Sequence, residues 1–196
     1  MFIGEILKKN FKLVKENFWF FLKLVLLYII IIFGPALILS KFVKSQFLSQ
    51  IILIIIYSLI EIGVIIISLQ IVKEKKFSLK KLFNGYLYLP SYLGAWILYF
   101  LICLGGIFLL IFPGVIWGIK FVFYPYLIVD KKLKAIEALK ESAKLTEGFK
   151  WDIFGFAIVV SIINILGILL FLIGIFWTLP LVWLSWANLY VILTKK

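Results

Sequence analysis

FPGVIWGIKFVFYPYLIVDKKLKAIEALKESAKLTEGFKWDIF, residues Phe112–Phe154, begins and ends as membrane sequence and turns into a charged helix between. Phe112–Val129 carries Lys120 as its one charge, whereas Asp130–Lys150 holds six lysines and four acidic residues before Trp151–Phe154 returns to apolar sequence. At about 100° per residue, Lys134, Glu137, Glu141 and Lys144 share a face of the charged helix (131–147) and pair at helical spacing. The opposite side carries Ala135, Ala138 and Ser142, flanked by Ile136, Leu139 and Leu145. A helix floating on lipid presents large apolar residues to the acyl chains, while small residues let a backbone approach another surface. Ala135, Ala138, Leu139 and Ser142 are therefore expected to dock this helix against protein; a solvated connector is the alternative. Gly148 is the expected helix stop, and Lys150 with Trp151 marks re-entry. Pro113-Gly114 breaks an apolar run with no charge nearby, which predicts a tight hairpin on the outer side.

The rest of the chain fits the same class. Its 196 residues are 65% hydrophobic and 15% charged, against about 45–50% and 25% in soluble domains, and the mean hydropathy is +1.18. So much apolar surface has no hiding place in a body this small. Apolar runs of about 20 residues exclude a β-barrel, whose strands are short and alternating. The expectation is all-α: a polytopic membrane protein with six transmembrane helices. The predicted spans are 18–39, 47–72, 91–112, 115–129, 151–173 and 175–193, with an interfacial amphipathic helix over 1–17, in a single integral membrane domain. Within Lys73–Pro90, SLKKLF reads as a short interfacial helix capped by Ser78.

The net charge of +12 comes from 21 lysines and no arginine. The lysines sit in short loops between apolar runs, so topology explains them and nucleic acid is not an expected partner. Seventeen fall in segments assigned to the cytoplasm, against Lys41 and Lys44 on the other side, which places both termini inside. With no histidine and one cysteine, Cys103, inside an apolar run, the chain offers no metal cluster, nucleophile–base pair or phosphate loop. Neither enzymatic activity nor a cofactor is expected.

Sliding the chain by 132 residues lays Glu5–Phe21 over Glu137–Ile153 without gaps, with Leu7/Leu139, Lys8/Lys140, Lys12/Lys144, Leu13/Leu145 and Trp19/Trp151 identical. This suggests a parallel internal repeat of amphipathic helix plus membrane hairpin; chance likeness in an Ile/Leu/Lys-rich chain is the alternative.

Four of the polar residues inside the spans are singled out. Glu61 and Lys120 are expected near mid-depth, where charges are costly and usually pair or line a wet cavity. They are read as a packing salt bridge, as a proton- or ion-linked site, or as a protonated Glu61 with Lys120 snorkelling. Asn164 and Asn188 are expected to hydrogen-bond between helices.

Pro113-Gly114, Tyr124-Pro125, Asp130, Glu137-Ala138, Ser142, Gly148, Trp151, Phe154, Pro180 and Ala187-Asn188-Leu189-Tyr190 together resemble a family of prokaryotic integral membrane proteins, the domain-of-unknown-function family numbered 975. Relatives of that family include membrane domains attached to glycerophosphoryl diester phosphodiesterases. The resemblance implies a six-span fold in a prokaryotic inner membrane and no reaction; the chain carries no phosphodiesterase domain. Three roles follow: a scaffold or transport-associated module with a cytoplasmic docking helix, a permease-like subunit coupled to a cytoplasmic ATPase, or a lipid-handling protein. Expected partners are membrane lipids, anionic at the inner face, and a cytoplasmic or membrane protein.

Overall fold

The structure is a computed structural model that describes residues 3–109, 111–169 and 174–195. Met1, the end of the fifth predicted span at Ile173 and Lys196 lie outside the described residues. The described residues form helices α1 (Ile3–Glu16), α2 (Phe18–Phe42), α3 (Gln46–Glu74), α4 (Leu89–Leu109), α5 (Ile111–Phe121), α6 (Tyr124–Lys131), α7 (Ala135–Leu145), α8 (Lys150–Leu169) and α9 (Ile175–Thr194), with a 3-10 segment over Leu79–Tyr88. Six stretches are long and apolar enough to cross a membrane. The chain is an all-α polytopic membrane protein.

Local chemistry sets several boundaries. Ser45 caps α3 by accepting a hydrogen bond from the Leu48 amide at 3.3 Å. The fourth predicted span is broken at residues 122–123, and Pro125 takes the second position of α6. A proline lacks only an amide there that the first helical turn leaves unpaired. Gly148, at φ 79°, supplies the left-handed turn between α7 and α8.

The two segments aligned at an offset of 132 both open with a short helix followed by a long one. Phe18 opens α2 and Lys150 opens α8, at the offset of 132. The buried residues of α1 are Ile6, Asn10 and Val14; their equivalents Ala138, Ser142 and Thr146 are buried too. α1 does more than lie on lipid, since this stripe packs along α9.

Burial divides the bundle. Towards the end where α2 and α8 begin and α3 and α9 finish, side chains such as Phe21, Leu24, Ile67, Ile71, Phe156, Leu184 and Tyr190 form the core. Towards the other end Ile30, Phe33, Leu37, Phe42, Phe47, Ile51, Ile165 and Leu169 are exposed. Apolar side chains on that scale are covered by lipid.

Two expectations are corrected. The 3-10 segment is not a free interfacial helix, and Ser78 makes no side-chain cap bond. The segment folds back along α3, so that a methyl placed on Gly63 would collide with the Leu82 backbone, and one on Gly85 would lie 3.1 Å from the Leu59 carbonyl. Glu61 lies on α3 between these two contacts, beside a segment that carries Lys80 and Lys81.

The second correction concerns the hairpin. Pro113 and Gly114 lie within the first turn of α5, after α4 has already ended at Leu109. Proline is tolerated in a first turn because its missing amide is unneeded. Gly114 is required for a different reason: α4 and α5 touch there, and a methyl on Gly106 would come within 2.8 Å of the Gly114 Cα. The tip was expected across the membrane from Trp151, yet the Phe112 and Trp151 rings are 6.4 Å apart. A hydrocarbon core of about 30 Å cannot separate them. The α4–α5 hairpin is thus folded against the start of α8.

Candidate functional site

Glu61 projects from α3 where α2, α6 and α9 converge on it. It opens onto a cavity of about 220 Å³, walled by Tyr28 from α2, Tyr126 from α6, Trp183 and Trp186 from α9, and Ser68 about two turns further along α3. The aromatic walls are locked by their own neighbours. Tyr28 packs edge-on against Trp183 at 5.0 Å, Trp186 against Phe156 at 5.1 Å, and Tyr126 stacks on Tyr190 at 5.4 Å. From α4, the Tyr92 hydroxyl faces the Glu61 carboxylate, with Tyr124 next to it.

Lys120 does not pair with Glu61. Among the described residues the ion pairs are Lys12–Glu16, Lys73–Asp130, Lys76–Glu74 and Lys131–Glu141. The Lys120 ammonium lies 5.6 Å from the Phe121 ring centroid instead. Lys120 is the penultimate residue of α5 and is not among the residues that line the cavity facing Glu61. Among the described residues Glu61 is a carboxylate facing aromatic rings, with no cation of the protein's own beside it. No three His, Cys, Asp or Glu side chains converge to hold a metal among those residues.

The break that aims α6 at Glu61 is held by α7. Ser142 donates from Oγ to the Lys120 carbonyl at 3.1 Å and accepts from the Phe123 amide at 3.1 Å. Thr146 donates to the same carbonyl at 3.1 Å. These bonds replace the helical ones that the broken span loses, as buried main chain requires. Ala138, Leu139 and Ser142 are buried, and Ala135 comes close to Gly94 of α4. The small-residue face of α7 is therefore covered by α4, α5 and α6 of its own chain. Its charged face is exposed: Glu137 accepts from the Lys134 amide at 3.2 Å, and Lys131 donates to Glu141 at 3.0 Å. The Lys131 ammonium holds the Glu141 carboxyl below its usual range.

Asn188 and Asn164 both bond between helices. Asn188 donates to Asn10 of α1, which donates to Ser185 at 3.1 Å. Thr178 of α9 donates to Asn164 of α8 at 3.2 Å, where Gly167 leaves room for the threonine. Trp151 is exposed at the first turn of α8.

Sequence reading missed Asn10, Asp130 and the tyrosines. Asn10 had a signal: it interrupts the apolar spacing Ile6–Val14 and lies over Ser142 in the repeat. Asp130 binds Lys73, and the Tyr190 hydroxyl donates to it at 2.9 Å. Tyr28, Tyr92 and Tyr126 are scattered over three helices, and nothing local marks them as neighbours of Glu61.

No curated protein and no solved structure matches the chain. A family model matches residues 37–192, from the second half of α2 to the end of α9, which includes Glu61, the broken span and α7. The chain therefore belongs to the family described as Domain of unknown function (DUF7847).

Proposed function

We propose that the protein is a non-enzymatic, transport-associated membrane module whose working part is the Glu61 cavity, and that the cavity takes a small organic cation of the ammonium class. The observation that carries this reading is a carboxylate with no cationic partner among the described residues, set in a cavity walled by two tyrosines and two tryptophans. Aromatic faces attract ammonium groups through their quadrupoles, and a carboxylate neutralises the charge that crosses into the bundle. The volume, about 220 Å³, lies below the range of about 300–1,000 Å³ for drug-sized ligands, which favours a small cation. A broken helix beside a charged residue is also a common way to build a site in transport proteins.

The setting we infer is a prokaryotic inner membrane with both termini in the cytoplasm. The lysine-rich segments then meet the anionic leaflet, which the distribution of charge favours. Kinship with the family numbered 975, and with the membrane domains of phosphodiesterases, belongs to this same reading. Coupling to an ATPase through α7 has less support, because the face that would dock is already buried against α4–α6.

The test is uptake of radiolabelled tetramethylammonium by proteoliposomes. The protein raises uptake above empty liposomes, and Glu61→Gln abolishes the increment. Equal uptake with and without protein, or unchanged uptake in the variant, overturns the transport reading.

A further inference from the structure

We infer a second ligand site, independent of Glu61: a pocket for a phosphodiester that carries a hydroxyl, the chemistry of a glycerol-type phospholipid headgroup. The pocket is a cavity of about 490 Å³ between the end of α3, the 3-10 segment and the end of α6. Lys73, Lys76 and Lys81 line it, together with Glu74 and Asp130. Their net charge is +1, which matches one phosphodiester. Both carboxylates are already engaged. Asp130 is held by Lys73 and Tyr190, and Glu74 by Lys76 at 3.2 Å. Lys81 has no ion pair among the described residues and is the cation left to meet an anion.

A second observation defines the rest of the ligand. Gln70 lines the same cavity; its side-chain oxygen is closed to solvent and has no hydrogen-bond partner among the described residues, and a turn of the side chain brings it to the cavity. A buried polar atom of this kind is costly unless something pairs with it, and a headgroup hydroxyl within the cavity is a suitable donor. Ile66, Leu69, Leu87 and Val129 complete the wall, giving apolar surface for the glycerol backbone beside the polar end. The site therefore reads a phosphate through Lys81, with Lys76 beside it shared with Glu74, and a hydroxyl through Gln70.

The phosphate can come from a lipid or from solution, and the experiment separates them. Full-length protein is exchanged into discs of equal phosphatidylglycerol and phosphatidylcholine, and the lipid retained on release into the gas phase is measured by mass spectrometry. The wild type retains phosphatidylglycerol preferentially. Lys76→Gln with Lys81→Gln lowers that preference roughly tenfold. Gln70→Leu lowers it too, although this variant changes no charge. A control with the same charge change on α1, Lys8→Gln with Lys12→Gln, leaves the preference intact. Inorganic phosphate is then added to the discs. If it displaces the retained lipid, the pocket reads phosphate from either source; if it does not, the ligand is the lipid. Both results support a phosphate site. No preference in the wild type, or equal losses in the pocket and control variants, overturns it, because the binding is then only the diffuse pull of a basic face.

Discussion

α1 and α7 align at the offset of 132 and bury aligned residues, yet they do different work. Asn10 of α1 reaches side chains, bonding Ser185 and Asn188 of α9. Ser142 of α7 reaches main chain, bonding the Phe123 amide and the Lys120 carbonyl across a broken span. The first contact joins two helices that are each internally complete. The second completes a helix that would otherwise be short of partners. The same small polar position thus serves as a clip in one copy and as a splint in the other.

The largest expected effect is at the splint. Ser142→Ala leaves the Phe123 amide buried and unpaired, at a cost of about 1–3 kcal/mol. Thr146 still serves the Lys120 carbonyl but has no route to the amide. The check is the thermal unfolding midpoint in detergent, which falls in Ser142→Ala and is restored by Ser142→Thr. An unchanged midpoint in the alanine variant breaks the distinction between the two copies.

A smaller and reversible effect is expected at the clip. Asn10→Leu orphans the buried Asn188 amide and lowers stability by about 1–2 kcal/mol. Asn10→Leu with Asn188→Leu recovers most of the loss, because removing both partners leaves no unpaired group. No second substitution rescues Ser142→Ala in that way, since its partners are backbone. A double variant no better than Asn10→Leu alone shows that the network does more than join α1 to α9.

The smallest effect is on the exposed face of α7. Lys131 holds the Glu141 carboxyl below its usual range, so the pair adds stability that is present above the unfolded carboxyl pKa and lost as pH falls through the folded one. Both side chains are well exposed, 43% and 37%, so solvent screening keeps the gain within about 1 kcal/mol. Between about pH 5 and pH 3 the wild type loses slightly more stability than Glu141→Gln. Identical pH profiles remove the pair from the account.

The fold class was legible because twenty-residue apolar runs have few structural outcomes. The small stripe of α7 was legible for a similar reason: Ala135, Ala138 and Ser142 call for a close neighbour. Which neighbour was not legible, since a stripe carries no address, and the partner is the break on the far side of α6. Counting along α3 places Glu61 within its helix but says nothing of what packs beside that helix. Nothing in the spacing reveals that Leu82 folds back onto Gly63. The hairpin tip was placed across the membrane on the assumption that each apolar run crosses fully. An apolar hairpin needs lipid around it, and lipid is available to one that leans along the bundle as much as to one that spans it. The Glu61 site shows the same limit. Its carboxylate was found, while its aromatic walls come from three other helices that only the fold assembles.

The central claim is that Glu61 and its aromatic walls bind an ammonium cation. Trp183 and Trp186 line the cavity, so tryptophan emission reports on its occupancy directly. Titration of tetramethylammonium into the protein in lipid discs should give a saturable change in emission. Glu61→Gln should weaken the apparent affinity by roughly tenfold or more, while Lys120→Gln leaves it unchanged. A titration that does not saturate, or one that Glu61→Gln leaves untouched, contradicts the claim.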